Sequence, residues 1–580
     1  MQQLNSLKQQ RKIKFFIAIA LVALTLLTPN TWAYLYSIIT TLPPADSASG
    51  KQLLNQYNLI SHGVFFALLA IVVIGLLWKA SQQPQQSKTS TLQERWTQQP
   101  ISNALIIVLF LGYTIAMVHQ TNWFYPELPD LYQDIFNSDL TNNFTLQERF
   151  IAETMKRNSF RFFPLAHQDL HILSWFTPYV KVWMLFSAAE LFTSLILISR
   201  VVQEMAATKT TSSLLLILSI LFLFHPATGW GFFQLIYCER LLTFLFACFI
   251  YFYWKHQQTN SNQLALLTFT TALLGVFVKD IAIILFATPA LLRVAVEPSC
   301  RRWRTLETGL IALGPVVIVA YGILSLLPSL YAQSSGFNSN DSGVLDADWR
   351  LIVLLGFCCL RFGSVLRQNS QPVLLDGLNL AALLYALALL VSVGYPFDSF
   401  WTLPVQLVTV MDLGYIWCRW IHTRLSKRWP AVGVNLLGVV ATLGLISLEH
   451  SNSHNFSQRV ATIKATQTGW HSTYLAMKSL IDTTRRSGQP VNIIFMRSYF
   501  NRHTLKQLKA DRLIEYHRGR KTYTVVNGID EGKSYTPRAG DFLLTIDKRE
   551  RKDLDQDADQ YDPIYVHNTD LRSARIFLHH

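Results

Sequence analysis

The chain has 580 residues, of which 51% are hydrophobic and only 15% are charged. This composition excludes an ordinary string of soluble domains, in which about a quarter of the residues are charged. The formal net charge of +14 does not indicate a nucleic-acid-binding protein, because the lysines and arginines lie mostly between apolar runs. The six cysteines lie in or beside apolar runs without metal-ligand spacing, which predicts packing residues rather than disulfides.

Apolar runs long enough to cross a bilayer recur along the chain as far as Leu448 and then stop. They predict a polytopic α-helical membrane protein with about 13 transmembrane helices. A break is predicted at Lys279 and Asp280, because the apolar stretch around them is too long for one untilted helix. The predicted spans are 15–27, 60–78, 101–118, 180–198, 214–233, 241–254, 264–278, 281–292, 310–327, 351–366, 380–393, 401–417 and 432–448.

The loops alternate between basic and acidic, which predicts the orientation of the chain. Basic loops are expected on the cytoplasmic side, and the acidic loops after Val118, Leu327 and Val393 on the outer side. The predicted units are N-terminal helices with a cytoplasmic linker, a membrane core, and an extracytoplasmic C-terminal domain. Their bounds are 1–100, 101–448 with a large outer loop 119–179, and 449–580.

The C-terminal segment alternates helical and strand-like patterns and predicts a small soluble α/β domain. Helices are expected near 460–484 and 504–514, and strands near 491–496, 522–526, 542–546 and 564–567. The segment has no glycine-rich phosphate loop, nucleophile elbow or paired metal motif. We therefore expect it to recognise an acceptor or a partner rather than to catalyse a reaction.

Three stretches, in this order, carry a resemblance to a known superfamily. The acidic outer loop reads WFYPELPDLYQD at 123–134 and FRFFPL at 160–165, followed by LLGVFVKD at 273–280 and YPFDSFWTLP at 395–404. This layout resembles the membrane-embedded GT-C glycosyltransferases, which include dolichyl-phosphate-mannose protein mannosyltransferases and bacterial enzymes that use polyprenyl-phosphate sugars. The acidic loop follows the third predicted span instead of the first, and it lacks an adjacent pair of acidic residues.

The resemblance implies an inverting glycosyltransferase of a bacterial-type inner membrane. It would transfer a sugar from a polyprenyl-phosphate donor to a glycan, lipid or protein acceptor on the outer face. A carboxylate must take the proton of the attacking hydroxyl, and the candidates in order are Asp130, Asp134 and Glu127. Cations must stabilise the leaving phosphate, and the candidates are Arg161, Lys279 and Arg240. No cofactor is expected with certainty besides this donor, although a divalent metal fits the same chemistry.

Each candidate has a plainer explanation. Asp130 and Asp134 are four residues apart and would share a solvated helix face. Arg161 would extend its charged end from an interfacial helix, and Lys279 would pair with Asp280 in a turn.

His167, Asp169 and His171 are weak metal candidates if they lie on one side of a strand, whereas solvation in a loop is the commoner explanation of such residues. A kink explains the pair of His225 and Pro226 in the fifth predicted span.

Two other classes of function remain open. A transporter or lipid flippase would show repeated halves and several charges deep in the membrane. The sequence shows no repeat and few such charges besides Glu190 and Asp412. A non-catalytic scaffold for envelope assembly would use mainly the C-terminal domain.

Overall fold

The computed structural model describes most of the chain, in segments. The described residues are 37, 39–83, 100–122, 162–166, 168–174, 176–177, 179–207, 212–296, 305–332, 345–346, 348–366, 374–450, 455–496, 505–506, 508–517, 521–545, 560–568 and 573–580. The first predicted span, 15–27, lies outside them, and so does 123–161 of the predicted outer loop.

Helices account for most of the described residues before position 487. They are α1 (Ala48–Ser81), α2 (Pro100–Val118), α3 (Gln168–Ser174), α4 (Val180–Met205), α5 (Ser212–Leu223), α6 (Pro226–Phe233), α7 (Glu239–Thr259), α8 (Asn262–Gly275), α9 (Ile283–Val296), α10 (Thr305–Tyr321), α11 (Leu327–Tyr331), α12 (Trp349–Leu366), α13 (Leu374–Ser392), α14 (Leu403–Ile416), α15 (Thr423–Leu425), α16 (Ala431–His450) and α17 (Phe456–Arg486). The turns Gly322–Leu326, Phe400–Thr402 and Trp417–His422 extend neighbouring helices.

Several of these helices are long and apolar enough to cross a bilayer. Among the described residues six meet that measure, or seven if α5 and α6 form one bent span, rather than the predicted number of about thirteen. Others, such as α8 with 14 residues, are too short for a straight crossing. The broad prediction of a mostly helical protein, with several helices apolar enough to span a membrane and a C-terminal sheet domain, is confirmed.

The helices differ in what they present to their surroundings. Large apolar side chains on α1 and α2 are exposed, for example Leu59 at 74% and Val108 at 66%. By contrast, α14 is buried along nearly its whole length. Close helix contacts depend on small residues, because a Cβ atom on Gly377 of α13 would lie only 2.9 Å from the Cα atom of Pro289 in α9. We infer that α1 and α2 face lipid and that α14 is central.

Two predicted interruptions occur where the sequence places them. The chain leaves helical geometry between α8 and α9, and this break contains Lys279 and Asp280. The axes of α5 and α6 bend by 79° at Phe224 and His225. His225 caps α6, and Pro226 begins it, because proline lacks the N–H that a helix interior requires.

Residues after α17 form a seven-stranded mixed sheet. Its strands are β3 (Asn492–Met496), β4 (Arg512–His517), β5 (Thr522–Gly528), β6 (Ser534–Tyr535), β7 (Phe542–Thr545), β8 (Tyr561–Asn568) and β9 (Ser573–His579), in the order β6-β5-β4-β3-β7-β9-β8. Strand β3 runs parallel to both of its neighbours, and the other pairs are antiparallel. A separate short pair, β1 (Leu345–Asp346) and β2 (Tyr395–Pro396), lies in the membrane core.

The helix predicted at 504–514 is wrong at its C-terminal end. Residues 512–514 belong to β4, whose central side chains are buried. Lys509 has a φ of 53°, a left-handed conformation that cannot continue a helix. A short apolar run does not by its period distinguish a buried strand from a helix, and here the pairing with β3 and β5 decided the outcome.

Helix α17 connects the bundle to the sheet. Its N-terminal half lies on the bundle, where the Lys464 amino group donates to the Met117 carbonyl oxygen at 2.7 Å and to the Thr121 hydroxyl at 2.6 Å. In its C-terminal half Trp470 and Met477 belong to the apolar core under the sheet. We call the side of the bundle that α17 contacts the tail end, and the opposite side the far end.

Candidate functional site

A buried arginine joins three helices at the tail end of the bundle. Arg240, in the first turn of α7, is 1% exposed, and its guanidinium donates to the carboxylates of Asp169 in α3 and Glu190 in α4. A charge this deeply buried is tolerated only where opposite charges and hydrogen bonds compensate it. The sequence could predict a charge at each position but not that these three meet.

A second ion pair lies beside the first. The Lys279 amino group, in the break between α8 and α9, lies 2.5 Å from a carboxylate oxygen of Glu239. It also lies 6.0 Å from the centroid of the Trp401 ring, within the range of a cation–π contact. Lys279 is 7% exposed, so both predicted phosphate ligands in the described part of the chain already have carboxylate partners.

An apolar groove of about 620 Å³ runs between α1, α8 and α10. Nearly all of its wall is hydrocarbon, and the only hydroxyl on it belongs to Ser61. The groove reaches Phe277, two residues before Lys279, and the Phe277 ring lies 5.0 Å from that of Phe65. Its other lining residues are Val64, Leu68, Leu69, Val72, Leu273, Val316, Val319, Ala320, Ile323 and Leu324.

The returning end of the predicted outer loop packs at the same place. Phe162, the residue after Arg161, is 1% exposed and its ring lies 6.0 Å from that of Phe277. The Leu165 N–H donates to the Phe277 carbonyl at 2.9 Å. The loop therefore returns to the bundle beside the groove and Lys279.

A separate cavity of about 340 Å³ lies at the tail end, which we call the carboxylate cavity. Three carboxylates line it, together with two histidines and four aromatic rings. The lining residues are Phe224, His225, Pro226, Asp346, Asp348, Trp349, Phe397, Glu449, His450, Asn455 and Phe456. They come from the α5–α6 bend, the β1–β2 pair and the residue after it, the start of α12, the end of α16 and the start of α17.

The Asp348 carboxylate is held by several donors. It accepts from the Leu351 N–H at 2.9 Å and from the Gln406 amide at 3.1 Å, and it lies 3.4 Å from His225 Nε2. Burial on its own would raise the pKa of Asp348, but the His225 hydrogen bond and the positive charge of Arg350 outweigh this effect, so the net shift of the pKa is downward. Asp348 is therefore ionised at neutral pH.

Glu449 is paired within the same wall. It accepts from Arg350 Nε at 2.8 Å and Nη2 at 2.9 Å, and from the Trp349 indole N–H at 2.6 Å. Arg350 is 0% exposed, so this bidentate pair fixes the start of α12 to the end of α16.

Several predicted site residues do not belong to the described part of the chain. Asp130, Asp134, Glu127, Arg161 and His167 lie outside the described residues, and their roles stay predictions.

Asp169 and His171 lie on helix α3, neither on a strand nor in a loop, which were the two alternatives considered for them. Across the described segments no group of three or more His, Cys, Asp or Glu residues is placed to hold a metal ion.

Asp348, Arg350 and Glu449 escaped the sequence analysis. The acidic run before Trp349 indicated only on which side of the membrane this loop lies. Glu449 directly follows the last predicted span. More than 90 residues separate Arg350 from Glu449 and more than 120 separate His225 from Asp348, so no local pattern could join them.

No protein-family profile, curated protein or solved structure matches the chain.

Proposed function

We propose that the protein is a membrane glycosyltransferase that takes a sugar from a polyprenyl-phosphate donor and transfers it to a glycan, lipid or protein acceptor. Transfer would take place at the tail end, on the extracytoplasmic side of a bacterial-type inner membrane. The observation that carries the proposal is the apolar groove that ends beside the Lys279 break.

The groove suits a prenyl chain. A prenyl chain in a groove walled by three helices stays as well shielded from water as in lipid, which is worth about 0.8 kcal/mol for each buried methylene group. A chain lying there would bring its phosphate to the end of α8, where Lys279 and the returning loop lie. Both environments that a lipid-linked sugar needs are therefore adjacent.

Phosphate binding by Lys279 would require an exchange of partners. Its ammonium group is paired with Glu239, so a phosphate would compete with that carboxylate. Arg240 already has two carboxylate partners and is less accessible than Lys279. Of the described cations we therefore assign donor contact to Lys279, and we assign Arg240 the role of holding α3, α4 and α7 together.

The proposal is tested by filling the groove. Val64, half-exposed on α1, lines it, and Val64→Trp would place an indole where the prenyl chain is expected. In a radiolabelled-donor assay in lipid vesicles we expect at least a tenfold rise in the KM for donor. Val108→Trp, on the exposed face of α2, is the matched control. Equal kinetics of both variants would contradict a donor chain in the groove.

Catalysis by the outer loop is tested separately. Asp130→Asn and Asp134→Asn remove candidate bases while keeping side-chain shape, and loss of a general base lowers kcat by about 10²–10⁴-fold. We expect this loss from one of the two with donor binding unchanged. A scaffold would keep its partner, and a transporter would keep flux, in both variants.

One observation favours the transporter. Asp412 on α14 and Asn379 on α13 are both 0% exposed, and their side chains lie beside each other. Carboxyl groups inside a membrane bundle often mark ion or proton pathways. Loss of substrate flux in Asp412→Asn, with no detectable sugar transfer by the unaltered protein, would establish this second function instead.

A further inference from the structure

The residues that line the carboxylate cavity differ in chemical character from those that line the apolar groove. It is lined by carboxylates and aromatic rings, and neither lysine nor arginine is among its lining residues. Its volume of about 340 Å³ corresponds to about ten water molecules at their volume in the liquid. The cavity is therefore large enough for a small polar group with its substituents.

The hydrogen bonds of His225 fix its charge. Its Nδ1 atom accepts from the Ala227 N–H at 3.2 Å, so that nitrogen carries no proton. The proton must then lie on Nε2, which faces Asp348 at 3.4 Å. The ring is consequently neutral, and it supplies Asp348 with a hydrogen bond but not with a counter-ion.

Asp348 is thus a buried carboxylate without a cation of its own. Its side chain is 8% exposed, and its three donors, Leu351, Gln406 and His225, are neutral. The nearby Arg350 guanidinium is directed by two hydrogen bonds at Glu449. A buried charge of this kind is costly unless an opposite charge can approach it, and the open side of Asp348 is the cavity.

The other carboxylates of the wall are Asp346 and Glu449. His450 is held by its Nδ1 atom, which donates to the Ile446 carbonyl at 2.8 Å. Asp346 is exposed, and no described hydrogen bond or ion pair engages its carboxylate. With Glu449 neutralised by Arg350, the lining keeps the two negative charges of Asp346 and Asp348.

We propose that the carboxylate cavity binds an ammonium group, carried by an amino sugar or by the headgroup of an amine-bearing lipid. An ammonium ion has only donors, which match the carboxylate acceptors of Asp346 and Asp348, and its positive charge offsets one of their two negative charges. The aromatic rings of Trp349 and Phe397 suit its attached carbon atoms and can add cation–π attraction. This site does not depend on sugar transfer or on the apolar groove.

The test uses the full-length protein in phosphatidylglycerol nanodiscs, which contain no amine. In one arm glucosamine is titrated by calorimetry, with glucose as the neutral match. In the other arm, phosphatidylethanolamine is added to the nanodiscs. Its retention on the protein is measured by native mass spectrometry, with phosphatidylglycerol as the reference. We expect selective binding in one arm, and that arm identifies whether the ammonium comes from a sugar or a lipid.

Variants locate the binding. Asp348→Asn removes a charge-assisted bond and should weaken binding about tenfold or more, while Asp346→Asn at the exposed mouth should weaken it a few-fold. Asp562→Asn, in the exposed part of the sheet domain, is the control. Val64→Trp should leave ammonium binding unchanged, which separates this proposal from the transferase.

Three results would overturn the proposal. They are equal binding of glucosamine and glucose without lipid selectivity, no binding in either arm, and undiminished binding in both Asp346→Asn and Asp348→Asn.

Discussion

The two ends of the helix bundle keep their charges in different ways. At the tail end the side chains of Arg240, Lys279 and Arg350 are between 0% and 9% exposed in their ion pairs. At the far end those of Lys255, Arg293 and Arg361 are 16% to 29% exposed. A desolvated charge is costly unless an opposite charge and hydrogen bonds hold it in place, whereas a solvated ion pair contributes little to stability. We infer that these three cations of the tail end are buried more deeply than the three of the far end.

We expect the largest loss of stability from removing Arg240. Arg240→Gln leaves Asp169 and Glu190 facing each other without a cation, and loss of one partner of a buried pair costs about 3–5 kcal/mol. We expect a corresponding loss in the free energy of unfolding, measured by denaturant titration in mixed micelles. A loss below about 1 kcal/mol would show that the cluster is solvated.

Removing Arg361 should have an intermediate effect. Its guanidinium makes two hydrogen bonds to Asp376, at 2.8 and 2.9 Å, and its side chain is 16% exposed. Because the pair is bidentate but partly hydrated, Arg361→Gln should cost about 1–2 kcal/mol in the same titration. A cost equal to that of Arg240→Gln would remove the distinction between the two ends.

The anchor of α17 should depend on pH. Burial, and to a smaller extent the charge of Lys181, lower the pKa of Lys464 to about 7. Unfolded lysine titrates near 10.4, so between about pH 7 and 10.4 the unfolded chain holds a proton that the docked lysine has lost. Docking should therefore strengthen as pH rises through this window and stay constant below it.

The thermal midpoint of the tail domain, followed by circular dichroism, measures this dependence. Lys464→Met should abolish the rise, and Lys478→Met, at an exposed position of the same helix, should keep it. A midpoint that falls with pH between 7 and 10 in the unaltered protein, but not in Lys464→Met, would reverse the sign and contradict the assignment.

The smallest effect is expected at Lys255. It pairs with Glu204 at 2.5 Å near the far end of α7, and its side chain is 29% exposed. It lies on the same helix as Arg240, about 22 Å away by the rise of an α-helix. Lys255→Gln should change the free energy of unfolding by less than about 1 kcal/mol. A larger change would mean that the burial of a charged side chain does not depend on its position along α7.

The sequence by itself determined the broad architecture. Repeated apolar runs specify membrane helices because backbone groups in lipid must be bonded within the helix. Pro226 specified the bend between α5 and α6, since its ring and missing N–H act locally. The break at Lys279 and four of the tail strands followed from length and alternation in the same way.

Tertiary structure alone decided which of the polar residues meet. Arg240, Asp169 and Glu190 come from three helices, and Arg350 and Glu449 from two, so their encounters depend on how helices cross and not on any period. The same holds for β4, where pairing with neighbouring strands overrode a locally helical pattern. Periodicity describes one element at a time, whereas a groove or a cavity exists only between elements, and that is why neither hollow could be predicted from the sequence.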